Sequence, residues 1–287
     1  MTTARERARR ALARRLARRP RYAGPSINRI IPNLLTMLGL CAGLLAIRFA
    51  FEGRFAQAAA MIVVAGVIDG LDGRIARLLK GTSPFGAEFD SLSDFLSFGV
   101  APALVLYLWS MQWVGHLFFL PCLVYAVAIA LRLARFNAAL LDDPAEPRPP
   151  PPLFTLNFFT GVPAPAAAGL VLFPLFAALA LEDWGFSAAA QALRYPAVVA
   201  VFLVVVGGLA VSRLPTWNAK RIKLKPEHVL PLMLAVLAYA TLLVTEPWAA
   251  LALGGLLYTA VIVLSVRAYR RLAREAEEAA QNPSPSG

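Results

Sequence analysis

Four aspartates stand close together in a chain that is otherwise strongly apolar: Asp69, Asp72, Asp90 and Asp94. The first two are three residues apart and the last two are four apart, so each pair shares one face of a helix. Burying a carboxylate at membrane depth costs from about 2.5 kcal/mol upward, which makes a functional role the default interpretation. Clustered carboxylate oxygens suit Mg²⁺ or Mn²⁺, with Ca²⁺ as another occupant. The spacing therefore predicts a site for two divalent ions that clamp a diphosphate.

The helices that position these aspartates are predicted to cross a membrane. Of the 287 residues, 59% are hydrophobic and only 16% are charged, whereas a soluble domain carries nearer a quarter charged residues. The fold class is therefore all-α, a polytopic membrane protein. Runs of about 20 apolar residues predict eight spanning helices, the fifth kinked by its prolines. They cover about 33–51, 55–79, 85–111, 114–139, 157–181, 194–212, 228–245 and 248–269.

The distribution of positive charge predicts the orientation of the chain. The net charge is +11, from 28 Lys+Arg against 17 Asp+Glu. With the N-terminus in the cytoplasm, all basic residues but Arg48, Arg54 and Arg194 fall in segments on the cytoplasmic side. The positive charge thus reflects membrane orientation, and no nucleic-acid partner is expected. Both termini would be cytoplasmic in a cell-membrane (inner-membrane) protein whose site lies at the cytoplasmic face.

The sequence divides into four predicted segments. The first is basic, with apolar residues at helical spacing, and is either an interfacial amphipathic helix on anionic lipid or a disordered tail. A six-helix core follows, then a basic cytoplasmic loop with two further spanning helices, and finally a disordered tail. The boundaries are 1–32, 33–212, 213–270 and 271–287.

A short connection, about residues 79–85, joins the second and third helices, so they pack antiparallel and all four carboxylates converge near the membrane surface. Gly73 and Gly86 remove side chains where a nucleotide must come close. Arg77 suits a phosphate. A structural alternative for the aspartates is a buried ion network with three basic residues: Arg74, Arg77 and Lys80.

The same residues form a longer pattern that resembles a known family. The run from Asp69 to Asp94 reads D-G-L-D-G-R-I-A-R, then eight residues, then G-A-E-F-D-S-L-S-D. This run is similar to the signature of the CDP-alcohol phosphotransferases. The resemblance implies a fold of at least six membrane helices, which fits the first two-thirds of the chain. It also implies a CDP-linked lipid as donor and a homodimer.

The resemblance assigns roles to individual residues. It implies that Asp69, Asp72 and Asp90 bind the metals, and that Asp94 both reaches a metal and acts as general base on the acceptor hydroxyl. The upstream stretch PNLLT would approach the nucleotide, although its asparagine has an alternative role as a helix cap. The implied CDP and diphosphate site consists of Asn33, Thr36, Asp69, Gly73, Arg77 and Gly86.

Three other stretches bear on the acceptor alcohol. They read SFGVAPA after Asp94, RLARFN from Arg132 and FTGVPAPAAAG from Phe159, and they resemble the membrane-integral phosphatidylserine synthases. The implied reaction transfers the phosphatidyl group of CDP-diacylglycerol to the hydroxyl of L-serine and releases CMP. An arginine fork is suited to the serine carboxylate. The candidate serine-binding residues are Arg132, Arg135, Asn137 and Glu88, and the alternative for the two arginines is ordinary positive flanking of a membrane helix.

Two other functions compete with serine transfer. The first keeps the chemistry and changes the alcohol to glycerol 3-phosphate, inositol phosphate or choline; choline would favour aromatic side chains over an arginine fork. The second is a cation-coupled transporter that uses the buried aspartates. A transporter predicts inverted repeats with broken helices in both halves, and residues 150–287 hold no comparable acidic pair.

Overall fold

The computed structural model describes residues 27–141, 158–212, 214–217 and 226–281. The regular elements among these residues are helices, apart from one short strand pair. The elements, in order, are α1 Ile27–Phe51, α2 Phe55–Leu78, α3 Pro84–Met111, α4 Leu120–Leu141, β1 Phe158–Thr160, α5 Ala164–Val171, α6 Phe173–Asp183, α7 Ser187–Leu193, α8 Pro196–Val211, β2 Pro215–Trp217, α9 Val229–Thr245 and α10 Pro247–Gln281. The predicted basic segment before residue 27 lies outside the described residues.

Within the described ranges, five helices are long and apolar enough to cross a membrane, namely α1, α2, α3, the helical stretch ending in α4, and α10. Two bent pairs raise the number to seven if each pair counts as one span: α5 with α6, bent by 44°, and α7 with α8, bent by 50°. Helix α9 is apolar but has only 17 residues. An all-helical membrane protein is confirmed, whereas the predicted count of eight spans is not.

The kink predicted in the fifth span is present at Leu172, between α5 and α6. Pro174 lacks the N–H that would bond to the carbonyl of Leu170, so the helix bends there. The predicted helix start at residue 157 is wrong. Residues 158–160 instead form β1, which pairs antiparallel with β2.

The last helix differs from the prediction at its end. Helix α10 runs without a break from Pro247 to Gln281, so residues 271–281 are helical where the sequence predicted a disordered tail from residue 271. Residues from Ala273 to Ala280 are mostly alanine and glutamate, which are strong helix formers. Local helix propensity therefore extends the helix past the end of the apolar run.

Small side chains bring α1 and α2 into close contact. Ala42, Ala46 and Ala50 lie four residues apart on α1 and are all buried. They belong to the same core as Ala58 and Ala65 of α2. Small residues let helix backbones approach closely, which is the main source of packing energy between helices in lipid. This tight pair supports the acid-bearing end of α2.

The turn between α2 and α3 is defined by two caps. At the end of α2, the amide of Gly81 donates to the carbonyl of Ala76, and Lys80 takes the left-handed conformation with φ of 50°. At the start of α3, the hydroxyl of Ser83 accepts a 3.0 Å hydrogen bond from the amide of Gly86. The two helices therefore reverse direction within a few residues, as predicted.

Candidate active site

The aspartates converge at the end of α2 and the start of α3. Carboxylate oxygens of Asp69, Asp72 and Asp90 all lie within 4.8 Å of one another. The side chain of Asp94 lies within hydrogen-bonding reach of Asp69. Asp72 is buried and the other three are partly buried. The four residues that the sequence singled out thus form one cluster, with Asp94 at its deeper edge.

The spacing of these oxygens fits a divalent cation. Oxygens on opposite sides of an ion are about 4.2 Å apart for Mg²⁺ and about 5 Å apart for Ca²⁺, since metal–oxygen distances are about 2.1 and 2.3–2.6 Å. Three ligand oxygens within 4.8 Å match this range. None of the four aspartates forms an ion pair with an arginine or lysine in the part of the chain that the structure describes. This arrangement disfavours the buried ion network with Arg74, Arg77 and Lys80.

Helix α1 holds the cluster from the side. The hydroxyl of Thr36 donates a 2.8 Å hydrogen bond to Asp72. The carbonyl of the same threonine accepts from Ser93 of α3 at 3.3 Å, and one turn further on the carbonyl of Gly39 accepts from Ser97 at 3.4 Å. A Cβ at Gly43 would lie 2.6 Å from the Ser97 hydroxyl oxygen, so glycine is required for this close approach. These contacts fix α3 against α1.

A cavity of about 400 Å³ opens beside the cluster. It is lined by α1, the end of α2, the connecting turn and the first turns of α3. Five of the six predicted CDP-binding residues line it, and the sixth, Asp69, lines the small acidic pocket next to it. A Cβ at Gly86 would lie 2.9 Å from the carboxamide oxygen of Asn33, so any larger residue there would have to displace the Asn33 side chain. The five lining residues are Asn33, Thr36, Gly73, Arg77 and Gly86.

The predicted serine-binding residues are not all at one place. The Arg132 guanidinium interacts electrostatically with Asp94, and its buried Nε has no hydrogen-bond partner among the described residues. Arg135 instead donates a 2.8 Å hydrogen bond to the carbonyl of Val211, the last residue of α8. It therefore caps a helix end rather than forming a fork with Arg132.

The two remaining candidates also differ in their surroundings. The Asn137 carboxamide exchanges hydrogen bonds with the hydroxyl of Ser91 at 3.0 and 3.3 Å, which joins α4 to α3. Glu88 is exposed, since it lies two residues from both Gly86 and Asp90 and so points away from their shared face. Among the four candidates, Arg132 is thus the one whose charge interacts with an aspartate of the acid cluster.

Sequence reasoning missed Ser93, Ser97 and Tyr125, which hold the backbone around the site. Ser93 lies three residues after Asp90, and Ser97 lies three residues after Asp94. Both serines therefore share the helix face of these aspartates, and this spacing could have predicted their role. The hydroxyl of Tyr125 donates a 2.8 Å hydrogen bond to the carbonyl of Phe98. No local pattern marks Tyr125, because its partner lies on another helix.

Comparison with known proteins identifies the class. The family described as CDP-alcohol phosphatidyltransferase matches residues 29–202, and the one described as CDP-alcohol phosphatidyltransferase 2 matches residues 227–262. The chain belongs to the CDP-alcohol phosphatidyltransferase family, and the resemblance of its aspartate run is confirmed. The first match covers α1 to α4 and ends within α8, so it includes the acid cluster and the cavity beside it.

Three similar proteins within that class are named CDP-diacylglycerol–serine O-phosphatidyltransferase. The one from Mycobacterium leprae is 40% identical over 227 residues, 78% of this chain and 71% of the relative. The one from Mycobacterium bovis is 35% identical over 254 residues, 86% of this chain and 82% of the relative. The one from Helicobacter pylori is 33% identical over 223 residues, 77% of this chain and 84% of the relative.

Proposed function

We propose that this protein transfers the phosphatidyl group of CDP-diacylglycerol to the hydroxyl of L-serine and releases CMP. The observation that carries the proposal is the convergence of Asp69, Asp72 and Asp90 beside a cavity that is lined by Arg77 and three glycines. Such a cavity suits a nucleotide diphosphate, because oxygen ligands and an arginine meet its charge and the glycines leave room for it. The names of the relatives support serine as the acceptor.

The residues of the cluster divide the chemical work. Asp94 takes the proton of the serine hydroxyl, and the freed oxygen attacks the phosphorus that carries diacylglycerol. The bond from that phosphorus to the oxygen bridging to CMP breaks, and CMP leaves with the negative charge. Asp69, Asp72 and Asp90 would hold divalent cations, which would neutralise the negative charge on the diphosphate. Positioning and electrostatic stabilisation account for most of the acceleration in this class of reaction.

The lipid part of the donor has a place next to the cluster. An apolar groove of about 450 Å³ lies between α2, α5, α6, α9 and α10. Phe98 lines both this groove and the acidic pocket. Gly66 and Val67, which also line the groove, precede Asp69 by less than one helical turn. When the diphosphate of the donor lies at the aspartates, the acyl chains of the same lipid therefore extend into the groove.

Arg132 is the residue that we propose for the serine carboxylate. Its guanidinium interacts electrostatically with the base Asp94, and its buried Nε has no hydrogen-bond partner in the described part of the chain. A buried donor without a partner is unfavourable, so a carboxylate at this position would be bound strongly. Asn137 and Arg135 support the site indirectly. Asn137 bonds to α3, and Arg135 bonds to the end of α8.

We further propose a location and an assembly. The acid cluster lies at the end of the bundle that carries Arg74, Arg77 and Lys80, and this end would face the cytoplasm under the positive-inside rule. Both termini would then be cytoplasmic in a cell membrane, and Mg²⁺ or Mn²⁺, two ions per site, would be the resident metals. The family resemblance favours a homodimer. Crosslinking in native membranes tests the dimer, and a monomer there contradicts it.

One assay tests the function directly. Purified protein in mixed micelles is supplied with CDP-diacylglycerol, Mg²⁺ or Mn²⁺, and one alcohol at a time, and CMP release is measured. Release that depends on serine supports the proposal. Release with glycerol 3-phosphate, inositol phosphate or choline, and none with serine, would contradict serine as the acceptor. The assignment to the CDP-alcohol phosphatidyltransferase family would be unchanged. Equilibrium dialysis with Mn²⁺, read by its electron paramagnetic resonance, measures metal binding independently of turnover.

A further inference from the structure

The hydrogen-bond pattern of α3 changes directly after Asp94. Residues Phe95–Val100 are π-helical, and such turns within α-helices often occur at functional sites. The carbonyl of Phe98 cannot receive an α-helical hydrogen bond, because the residue four positions later is Pro102, which has no N–H. A carbonyl left unpaired in the membrane interior is strongly unfavourable. This carbonyl next to the active site is therefore open to a donor from another helix.

Tyr125 of α4 is positioned as that donor. Its hydroxyl donates a 2.8 Å hydrogen bond to the carbonyl of Phe98. The whole side chain is buried. Helix α8 packs closely behind it, since a Cβ at Gly207 would lie 3.3 Å from the Tyr125 Cα. Tyr125 is thus held between α8 and the π-helical turn, with little freedom to move.

The same face of α4 follows α3 toward the acid cluster. Cys122 donates from its thiol to the carbonyl of Ala103 at 3.5 Å. Ile129 packs against the backbone of Gly99, where a Cβ would lie 3.3 Å from it. Arg132, two turns beyond Tyr125, interacts with Asp94. The hydrogen bond of Tyr125 lies in the middle of this series and, together with the Asn137–Ser91 pair further along α4, sets the register between the two helices.

We propose that Tyr125 is a positioning residue for the acceptor. Its bond to Phe98 fixes the turn that follows Asp94 and the register in which α4 brings Arg132 to that carboxylate. The residues that line the CDP cavity include none from α4 and none from α3 beyond Asp90. Loss of the Tyr125 hydroxyl therefore disturbs the acceptor side and leaves the lining of the CDP cavity unchanged. The identity of the acceptor as serine rests on the proposed function.

The test compares Tyr125→Phe with Tyr107→Phe. Tyr107 lies in the second π-helical segment of α3 and packs edge-on against Phe119. Among the described residues, its hydroxyl donates no hydrogen bond to a carbonyl of α3. In Tyr125→Phe, kcat/KM for serine should fall about tenfold while KM for CDP-diacylglycerol stays within about twofold. Tyr107→Phe should match the wild type. A merely structural role would lower the melting temperature and the active fraction but leave both KM values unchanged, and that outcome overturns the proposal.

A double variant tests the route through Phe98. Adding Pro102→Ala to Tyr125→Phe returns a backbone N–H four residues after Phe98 and should recover at least about a third of the lost kcat/KM. A double variant no better than Tyr125→Phe overturns this route. Wild-type CMP release with serine is measured first. If another alcohol is the acceptor, the proposed function fails at that step, and the Tyr125 comparison is made with the alcohol that supports release.

Discussion

The hydroxyl of Thr36 donates a 2.8 Å hydrogen bond to the carboxylate of Asp72, and this bond joins α1 to the acid cluster on α2. Both side chains are buried, at 6% and 4% exposed. The backbone carbonyl of Thr36 also accepts from Ser93 of α3. One residue of α1 therefore holds the two helices that carry the aspartates, which gives the first prediction.

Replacing Thr36 by valine should lower kcat/KM for CMP release about tenfold or more, because a hydrogen bond to a charged group contributes about 1.5–3 kcal/mol. Thr36→Ser keeps the hydroxyl and should retain most of the activity. Thr241→Val is the matched control, since the hydroxyl of Thr241 donates to the carbonyl of Leu237 within exposed helix α9. Equal activity of the Thr36 and Thr241 valine variants would show that the bond to Asp72 is dispensable.

Replacing Asp94 by asparagine should reduce turnover by about two to four orders of magnitude while CDP-lipid binding persists, because general bases contribute about that much. The CDP cavity is lined without Asp94, so binding of the lipid nucleotide, measured by isothermal titration, should change little. Asp183→Asn, at the C-terminus of α6, serves as the control. Full activity of the Asp94 variant would remove it from the role of base.

Two glycines near the cluster should respond oppositely to alanine. At Gly86 a Cβ would lie 2.9 Å from the Asn33 oxygen, so Gly86→Ala displaces the Asn33 side chain and should weaken CDP-lipid binding about tenfold. At Gly70 a Cβ meets nothing within 4 Å, and alanine there favours the helix by up to about 1 kcal/mol. Binding and melting temperature in detergent report the difference. Unchanged binding by Gly86→Ala would contradict the close-approach argument.

The two arginines of α4 should separate into an acceptor residue and a structural one. Arg132→Ala should raise KM for serine about tenfold or more, because it removes the charge beside Asp94. Arg135→Ala removes the hydrogen bond to Val211 and should lower the melting temperature with KM for serine unchanged. Steady-state kinetics and thermal unfolding are measured on the same samples. A matching rise in KM for both variants would restore the arginine fork.

Replacing Lys80 by glycine should stabilise the turn between α2 and α3. Lys80 has φ of 50°, a conformation that is costly for residues with a side chain and free for glycine. The gain is about 1 kcal/mol, seen as a higher melting temperature in detergent. Lys80→Ala removes the same charge but keeps the strain, so it should show no such rise. If both variants melt alike, the strain at Lys80 is negligible.

Much of the site could be predicted because its information is local. The spacing of Asp69 and Asp72, and of Asp90 and Asp94, determines which carboxylates share a helix face. The short connection after α2 is enough to bring the two faces together. Pro174 similarly bends its own helix, by removing one donor. The end of α10 differs from the prediction because the apolar run stops before the helix does, and the helix continues to Gln281.

The rest depends on which helix faces which, and periodicity within one helix does not contain that information. Thr36 meets Asp72 across 36 positions, and Tyr125 meets Phe98 across 27. Arg132 and Arg135 look equivalent in the sequence, yet packing turns one toward Asp94 and the other toward the end of α8. The sequence by itself thus determined the acid cluster and its chemistry. Only the tertiary structure decided which hydroxyls and which arginine support that cluster, because those contacts exist only once the helices pack.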